Sequence, residues 1–461
     1  MDPFDLIVIG SGPGGYVAAI RAAQLGLKTA CIDKNAALGG TCLNVGCIPS
    51  KTLLHSTELF WKLLHEGKEL GIRGEKLLFD FGVAMQRKET VIRNFNEGIA
   101  ALFKKNKILS FTGHATLLTP TSIQVGSETL SAKNILLATG SEPIPLPFLP
   151  FDEKKVLSST GALALDRVPK KMIVVGAGVI GVELGSVYQR LGCEVVFVEF
   201  MDRICPIYDE MLSKGLQDSL TKQGMQFHLS SKVVSGQNTD KGVELQIEKA
   251  DKSKLTLSAD VVLVSIGRRP YTQNLGLERV GITPNPKGFI PVNGSFRTSQ
   301  PTIFAIGDLI DGPMLAHKAS EEGIAVAEIL AGQKPRVEYL AIPSIVYTYP
   351  EVASVGMTEA EAKSLGLTVN SGLFSFKACS RSRCNHEEEG FVKMIADSST
   401  GRLLGVHILG AHASELIAQA AVAIQKRLTA LDIAHTPHAH PTLAEALKEA
   451  ALALHKRAIH K

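Results

Sequence analysis

The sequence predicts an α/β protein in which one nucleotide-binding unit occurs twice, followed by a C-terminal α+β domain. Three observations carry that prediction. A glycine-rich turn set between an apolar strand and a helix begins at Gly10 and again at Gly176. Each copy ends in an acid, Asp33 or Glu199, 23 positions after its first glycine (10 to 33, 176 to 199). From about Tyr339 the texture changes to separate strand-like runs and two Ala-rich helices.

The elements follow in order. Leu6 to Ile9 is a short run of apolar residues, as expected of a strand buried on both faces of a parallel sheet. The turn Gly10-Ser11-Gly12-Pro13-Gly14-Gly15 leads into an Ala-rich helix from about Tyr16 to Leu25, then a strand Thr29 to Ile32 that ends at Asp33. The second copy reads Met172 to Val175, Gly176-Ala177-Gly178-Val179-Ile180-Gly181, a helix to about Leu191, and Val195 to Val198 ending at Glu199. Each copy also has a late strand ending in glycine, Ile135 to Gly140 and Val261 to Gly267. The Pro-rich stretch Glu142 to Pro147 predicts a linker. In the last part, Ser344 to Tyr347, Gly390 to Ile395 and Leu403 to Leu409 read as strands, and Ser414 to Lys426 and Thr442 to Arg457 as helices.

Composition narrows the function. At 461 residues the chain has room for about three domains. Its 45% hydrophobic and 20% charged content is that of a globular protein, not of a disordered or collagen-like chain. No run of about 20 unbroken apolar residues predicts a membrane span. The net charge of +4 is small and its Lys and Arg are dispersed, which argues against nucleic-acid binding. Seven cysteines at irregular spacing make a poor secreted framework. The acidic start, Met1 to Asp5, offers no signal or transit pattern, so the expectation is a cytoplasmic chain or one already processed. In a reducing compartment, a close cysteine pair is expected to be catalytic.

The glycine turns carry a physical mechanism. The first glycine permits the tight turn, the second lets the backbone approach a pyrophosphate, and the third lets helix and strand pack closely. The helix N-terminus then offers free N–H groups and its positive end to phosphate. Asp33 and Glu199 would each accept hydrogen bonds from a ribose diol; a carboxylate at Glu199 favours NAD over NADP, since it would repel a 2′-phosphate. The bland alternative is a tight turn with no ligand.

Cys42 and Cys47 stand five residues apart in Gly39-Gly40-Thr41-Cys42-Leu43-Asn44-Val45-Gly46-Cys47-Ile48-Pro49-Ser50-Lys51. An extended strand would part their Cα atoms by about 16 Å, and a regular helix by about 7.5 Å along its axis. A disulfide needs about 4.4–6.8 Å. The pair can close only across a distorted turn, which Gly46 would ease, and such a bridge would be exchangeable. Two unrelated thiols, or half a zinc site, are the alternatives; no second Cys pair or nearby His completes a tetrahedral set. Near the other end, Thr442 and Glu445 have capping-box spacing. Taken alone, such a Glu445 is more often a cap than a catalytic group, but His440, just before the helix, could use it as an orienting partner and act as general base. His435, His438 and His440 lack the accompanying ligands of a metal cluster, and no metal is expected. The apolar strand Thr302 to Ile306 would set Asp308 at a sheet's C-terminal edge, as a ligand contact or as a turn or cap residue.

With these motifs together the chain resembles the class I pyridine nucleotide-disulfide oxidoreductases, the flavin disulfide reductases. Within them it is most similar to the branch that oxidises protein-bound dihydrolipoyl groups. The resemblance covers essentially the whole length. It implies two Rossmann-like domains and a C-terminal dimerisation domain: 1–143 as the first part of an FAD-binding domain, 144–267 NAD-binding, 268–338 the second, central part of the FAD domain, and 339–461 the dimer interface. It implies FAD contacts at Gly10, Gly12, Gly15, Asp33, Lys51, Gly113, Thr139, Gly140, Asp308, Met314, Ala316 and His317. The NAD contacts it implies are Gly176, Gly178, Gly181, Glu199, Val233 and Gly267. Asp33 stands where the family often has Glu, a shorter side chain of the same chemistry.

The implied chemistry is a redox disulfide, Cys42–Cys47. A substrate thiol deprotonated by the neighbouring subunit's His440, itself paired with Glu445, attacks Cys42; Cys47 faces the flavin, beside a Lys51–Glu183 pair; hydride leaves to NAD⁺. The implied partners are a second copy of the chain, lipoyl domains and the E2 subunit of 2-oxo acid dehydrogenase complexes, or a glycine-cleavage system. No nucleic acid and no membrane are expected. The chain ends Arg457 to Lys461 without the extra cysteine pair of mercuric and large thioredoxin reductases, and Glu199 stands where glutathione-type enzymes need basic residues. Cys379 and Cys384 repeat the spacing in a polar loop without a Gly-rich frame and read as incidental. The alternatives are a related enzyme with another acceptor and a flavin-bearing scaffold without turnover.

Overall fold

A computed structural model describes residues 2–460; Met1 and Lys461, on which the readings of the two termini partly rest, lie outside the described residues. In chain order the first elements are β1 (Phe4–Ile9), α1 (Pro13–Gln24), β2 (Thr29–Asp33), α2 (Gly40–Val45), α3 (Cys47–His65), α4 (Phe81–Lys105), β3 (Leu109–Thr112), β4 (Ala115–Thr119), β5 (Ser122–Val125), β6 (Glu128–Leu137) and β7 (Ser141–Pro143). There follow β8 (Val156–Leu157), α5 (Ser159–Ala162), β9 (Lys171–Val175), α6 (Val179–Arg190), β10 (Glu194–Val198), α7 (Glu210–Lys222), β11 (Gln226–His228), β12 (Lys232–Thr239), β13 (Gly242–Glu248), β14 (Lys254–Ala259), β15 (Val261–Val264), β16 (Arg268–Pro270), β17 (Ile303–Ala305) and α8 (Ala316–Leu330). The last are β18 (Ser344–Val346), β19 (Glu351–Gly356), α9 (Glu359–Ser364), β20 (Val369–Ser375), α10 (Ser380–Asn385), β21 (Phe391–Asp397), β22 (Leu403–Gly410), α11 (Ala413–Gln425), α12 (Ala430–His435) and α13 (Glu445–Leu454).

The chain divides into two compact units, one of Met1–Thr52, Gly82–Ile144 and Gly267–Val337, the other of Leu53–Phe81, Pro145–Ile266 and Glu338–Lys461. In the first, β3, β2, β1, β6 and β17 run parallel in that order, and β5 and β4 continue from β6 antiparallel. β6 serves both arrangements, and its burial shows it. Its last three residues, Ile135 to Leu137, lie between parallel neighbours and are all buried; its first half alternates, as a half-covered antiparallel strand does. α1 and α8 cross closely because both carry glycine at the contact. A Cβ on Gly323 would stand 2.4 Å from the Gly14 carbonyl, and one on Gly14 would stand 3.0 Å from that of Ala319. Arg21 and Glu328 close the crossing with an ion pair of 2.6 Å.

The predicted linker is only partly one. Ser141–Pro143 forms β7, an antiparallel ribbon with β16, before the chain leaves the first unit. Pro143 fits because an edge ribbon leaves its missing N–H without consequence.

The second unit contains the repeat. β11, β10, β9, β15 and β8 form a wholly parallel sheet, with β12, β13 and β14 as a separate antiparallel meander. The C-terminal segment builds a five-stranded antiparallel sheet, β18-β19-β22-β21-β20. Its core joins Val392, Met394, Val406 and Ile408 to Ile417, Ala420, Leu447 and Ala450 of the helices. The α+β expectation holds, with β19 and β20 as strands the sequence did not mark. No helix among the described residues is long and apolar enough to cross a membrane.

Candidate active site

In the first unit the five parallel strands end on one edge, and the sequence-marked residues sit along it: Gly10 after β1, Asp33 ending β2, Gly113 after β3, Thr139 and Gly140 after β6, Asp308 after β17. This is the edge at which open α/β sheets take ligands. The three glycines divide their roles as steric limits require. Gly10 has φ +102°, and a Cβ there would meet the Ala138 carbonyl at 2.3 Å. A Cβ on Gly15 would lie 1.8 Å from the Gly10 carbonyl oxygen, so helix and strand pack only because it is absent. Around Gly12, the N-cap of α1, a Cβ meets nothing within 4 Å. The middle position therefore opens onto free space in front of a helix N-terminus, which fits a pyrophosphate.

Asp33 is already engaged. Its Oδ2 accepts from the Ser11 amide (2.8 Å) and hydroxyl (2.7 Å), and its Oδ1 from Asn35 N–H (2.9 Å). The acid therefore ties the glycine turn to the end of β2, with lone pairs left for a diol. Gly113 donates its N–H to the Asp33 carbonyl at 2.8 Å. Thr139 Oγ1 donates to the Tyr271 carbonyl (2.6 Å), the Tyr271 N–H donates to Gly140 O (2.9 Å), and Lys34 Nζ lies 4.0 Å over the Tyr271 ring. Met314 and Ala316 are half-buried where α8 begins; His317 is exposed.

Asp308 is held by groups the sequence did not mark. The Ser141 hydroxyl donates to its Oδ2, and Arg268 donates to the Ser141 hydroxyl (2.8 Å) and carbonyl (2.7 Å). Burial pulls the Arg268 guanidinium below its usual range, against the attraction of Asp308 and of Cys47. Beneath the Gly307-Asp308 turn lies a fully buried ion pair: Lys318 Nζ to Glu322 Oε1 at 3.0 Å, both side chains 0% exposed. Lys318 also donates to the Gly307 carbonyl (3.0 Å), and Glu322 accepts the Gly307 N–H (2.7 Å). Lys and Glu at i and i+4 in an otherwise Ala-rich helix was the signal that could have found them.

The dithiol segment has the distortion its spacing demands. α2 carries Cys42, Gly46 breaks the helix at φ −142° and ψ −113°, and Cys47 opens α3. A Cβ on Gly46 would press on Thr41 O (2.9 Å) and on the Cys42 Cα (3.2 Å), so the fold-back needs glycine. Both cysteines are half-buried. The Cys42 thiol is pushed well above its usual range, first by its hydrogen bond with Cys47 and then by burial; Lys51 opposes this. Cys47 sits at the N-terminal end of a 19-residue helix, a position that favours negative charge on sulfur. Tyr16 of α1 joins this neighbourhood: burial, and then the Cys42 sulfur, push its phenol up. Lys51 lies one turn along α3.

In the second unit the first pattern repeats closely. Gly176 has φ +97° and its Cβ would meet Ser265 O at 2.6 Å; one on Gly181 would meet Gly176 O at 2.2 Å; one on Gly178, the N-cap of α6, meets nothing within 4 Å. Glu199, buried, accepts from Ala177 N–H (2.6 Å) and Met201 N–H (2.8 Å). The Val233 side chain belongs to the core beside β9 and β15, so only its backbone is left to meet a ligand. Gly267 falls at the return to the first unit, accepting the Ile144 N–H at 3.1 Å. Glu183, buried in α6, accepts the Tyr347 N–H at 2.9 Å.

The capping box at Thr442 is half made. Glu445 accepts the Thr442 N–H (2.9 Å), but the Thr442 hydroxyl donates to the Ala439 carbonyl instead of capping α13. The same carboxylate also faces the His440 ring, whose Nδ1 lies 3.0 Å from Oε1 and 3.2 Å from Oε2. Burial is outweighed by the Thr442 amide and the His440 ring, which hold this carboxyl below its usual range. With Nδ1–H directed at a carboxylate, Nε2 is the nitrogen that can take a proton. His438 is tied elsewhere, to Thr436 O (2.8 Å) and the Gln419 side chain (3.1 Å). Among the described residues no three His, Cys, Asp or Glu side chains are grouped to hold a metal ion. Cys379 is buried with its thiol toward the Thr442 carbonyl (3.6 Å), and Cys384 is exposed.

Comparison with known proteins agrees with this arrangement. Residues 4–323 match the model of the pyridine nucleotide-disulphide oxidoreductases, and residues 342–451 that family's dimerisation domain. The mitochondrial dihydrolipoyl dehydrogenase of Caenorhabditis elegans is 50% identical over 456 residues, 97% of this chain and 92% of that protein. The dihydrolipoyl dehydrogenase of Trypanosoma brucei brucei is 48% identical over 469 residues, covering 100% and 98%. Among solved structures, LpdA from Mycobacterium tuberculosis superposes with a TM-score of 0.89 at 29% identity, covering 97% of this chain and 98% of that one. The flavoprotein disulfide reductase RclA from Escherichia coli does so with a TM-score of 0.86 at 26% identity, covering 97% and 99%.

Proposed function

Because the chain belongs to the pyridine nucleotide-disulphide oxidoreductase family, we propose that it is an NAD-linked enzyme that oxidises dihydrolipoyl groups to lipoyl disulfide. The observation that carries this is the pair Cys42 and Cys47, hydrogen-bonded to each other across the helix break at Gly46, with Cys47 at the head of α3. The relatives named as dihydrolipoyl dehydrogenases support the substrate class.

The free space at Gly12, the donors around it and the tethered carboxylates of Asp33 and Asp308 fit FAD. Gly10, Gly15, Gly113, Thr139 and Gly140 would shape its bed, and Met314, Ala316 and His317 would border it. The matching loop at Gly176, Gly178 and Gly181, with Glu199 and the backbone near Val233 and Gly267, fits NAD. When bound, the flavin would supply an electron-pair acceptor for the inner thiolate and a hydride donor for NAD⁺. Everything else falls to the chain.

Starting from the oxidised pair, the partner subunit's His440 takes a proton from a substrate thiol at Nε2, while Glu445 holds the ring and balances its charge. The substrate thiolate bonds to Cys42, breaking the Cys42–Cys47 bond and releasing Cys47 as thiolate. The second substrate thiol then attacks the substrate sulfur bonded to Cys42. Lipoyl disulfide forms and Cys42 leaves as a thiol by taking the proton held at His440, whose freed Nε2 then accepts the proton of the second substrate thiol. The helix N-terminus and Lys51 stabilise the charge at Cys47, and Glu183, buried on α6, is a further proposed catalytic residue. Catalysis by residues from two subunits requires a homodimer, which the dimerisation domain supports. The lipoyl domain and E2 subunit of a 2-oxo acid dehydrogenase complex, or a glycine-cleavage system, are the proposed partners. The proposed compartment is the cytoplasm, where cysteines such as Cys31, Cys193 and Cys205 remain thiols.

A steady-state assay tests the reading. Turnover with dihydrolipoamide and NAD⁺, with little from glutathione or NADP⁺, is the expected result; preference for glutathione with NADPH would overturn it.

A further inference from the structure

α2 is too short to hold itself. It has six residues, enters through Gly39 (φ +97°) and Gly40 (φ +59°) without a side-chain cap, and breaks at Gly46. Helices of that length are unstable in water unless tertiary contacts fix them. Yet α2 carries Cys42, and its register decides whether the Cys42 sulfur stays within reach of Cys47.

Leu43 seats it in the core and the Gly39 N–H ties its start to the Ser11 carbonyl (3.0 Å); the side-chain hydrogen bonds that hold it in register come from two asparagines. Asn44, between the cysteines, donates through Nδ2 to Leu38 O (3.1 Å) and Gly40 O (2.9 Å). Asn96, half-buried on α4, donates to the same Leu38 carbonyl (2.6 Å) and to Asn44 Oδ1 (3.1 Å). The four amide hydrogens are all used, and both lone pairs of Leu38 O are filled. The network belts both ends of α2 to the 25-residue helix α4, whose Ile99 and Phe103 are buried in the core.

We propose that Asn96 is a positioning residue for the Cys42–Cys47 couple, acting through Asn44; this rests on the redox role given to that pair. By holding α2 in register it keeps the thiols together in the reduced state, which raises their effective concentration and favours the bridge. On oxidation the two S–H bonds of Cys42 and Cys47 are exchanged for one S–S bond. Two electrons and two protons pass to the oxidant, whose own S–S bond becomes two thiols. Losing Asn96 removes two hydrogen bonds of ordinary strength, together on the order of tenfold in an equilibrium constant.

The test uses the full-length, flavin-loaded protein equilibrated in graded mixtures of reduced and oxidised dithiothreitol, then quenched with iodoacetamide. The bridged and alkylated forms of the peptide holding Cys42 and Cys47 are quantified by mass. Asn96→Ala is expected to move the equilibrium about tenfold toward the dithiol, about 30 mV more positive. Asn94→Ala, at an exposed site on the same helix, is expected to leave it at the wild-type value. Both substitutions place a strong helix former in α4, so both proteins fold. An unchanged midpoint in Asn96→Ala, or an equal shift in Asn94→Ala, overturns the inference while leaving the redox pair intact. Failure of the wild type to bridge Cys42 and Cys47 in any mixture overturns the redox role and this inference with it.

Discussion

The buried pair Lys318–Glu322 offers a sharp perturbation. Glu322→Leu removes the partner of an ammonium that has no exposed surface, and also the acceptor of the Gly307 N–H. Stranding one member of a buried pair costs about 3–5 kcal/mol. At about 2–4 °C per kcal/mol for a unit of this size, the thermal midpoint should fall by roughly 6–20 °C. The double variant Lys318→Met, Glu322→Leu leaves no buried charge. What it loses are the partners of the Gly307 N–H and carbonyl, about 1–3 kcal/mol each; the single variant loses the same N–H partner and strands an ammonium besides, so the double should be the more stable of the two. Circular dichroism melts of wild type, single and double variants with flavin bound decide the matter. If the single variant melts within about 2 °C of wild type, or no lower than the double, the turn does not depend on the pair as a charged unit.

Three further outcomes follow from the geometry. Gly12→Ala should keep the wild-type melt of the flavin-free chain yet bind FAD at least tenfold more weakly, because its Cβ enters open space where phosphate belongs, whereas Gly15→Ala should fail to accumulate as folded protein; equilibrium dialysis with FAD reports the difference. His440→Gln should lower dihydrolipoamide oxidation by about 10²–10⁴-fold with NADH-driven dye reduction near wild type, and equal loss in both assays would count against the base role. His407 is buried, with Nδ1 near Ser354 Oγ (2.6 Å) and Nε2 near Met357 O (3.0 Å), and burial holds its pKa below the usual imidazole value. Its contribution to stability is complete above the unfolded value of about 6.5 and is lost as pH falls toward the folded one. His407→Gln should flatten the decline in melting temperature between about pH 7 and pH 5, and an unchanged slope would exclude His407 as its source.

Most of the nucleotide-binding edges could be read from the chain because glycine there answers to local steric limits. A Cβ 1.8 Å from a carbonyl at Gly15 and 2.2 Å at Gly181 leaves one residue type, and spacing does the rest. The Cys42–Cys47 turn was legible for the same reason, since its distortion follows from five-residue spacing and sits where a glycine stands. What escaped was non-local. Asn96 meets Asn44 from 52 positions away, and Arg268 reaches Ser141 across 127; no periodicity announces either. The cap at Thr442 was misjudged in part because its hydroxyl found the Ala439 carbonyl, a choice set by the turn and not by the S/T-x-x-E pattern. The long helix α4, the length of α3 beyond Lys51 and the strand character of the meander β12–β14 carried no motif and went unmarked.

The interrupted first unit has a consequence for biogenesis. β6 is complete at Leu137, but its parallel neighbour β17 arrives only at Ile303, after the whole of Pro145–Ile266 has been made. At about 5–20 residues per second of synthesis, the ribosome needs on the order of ten to thirty seconds to bridge that interval. Throughout it, the apolar flank of Ile135, Leu136 and Leu137 lacks its cover, so the nascent chain is most vulnerable to chaperone capture or aggregation before the flavin can bind.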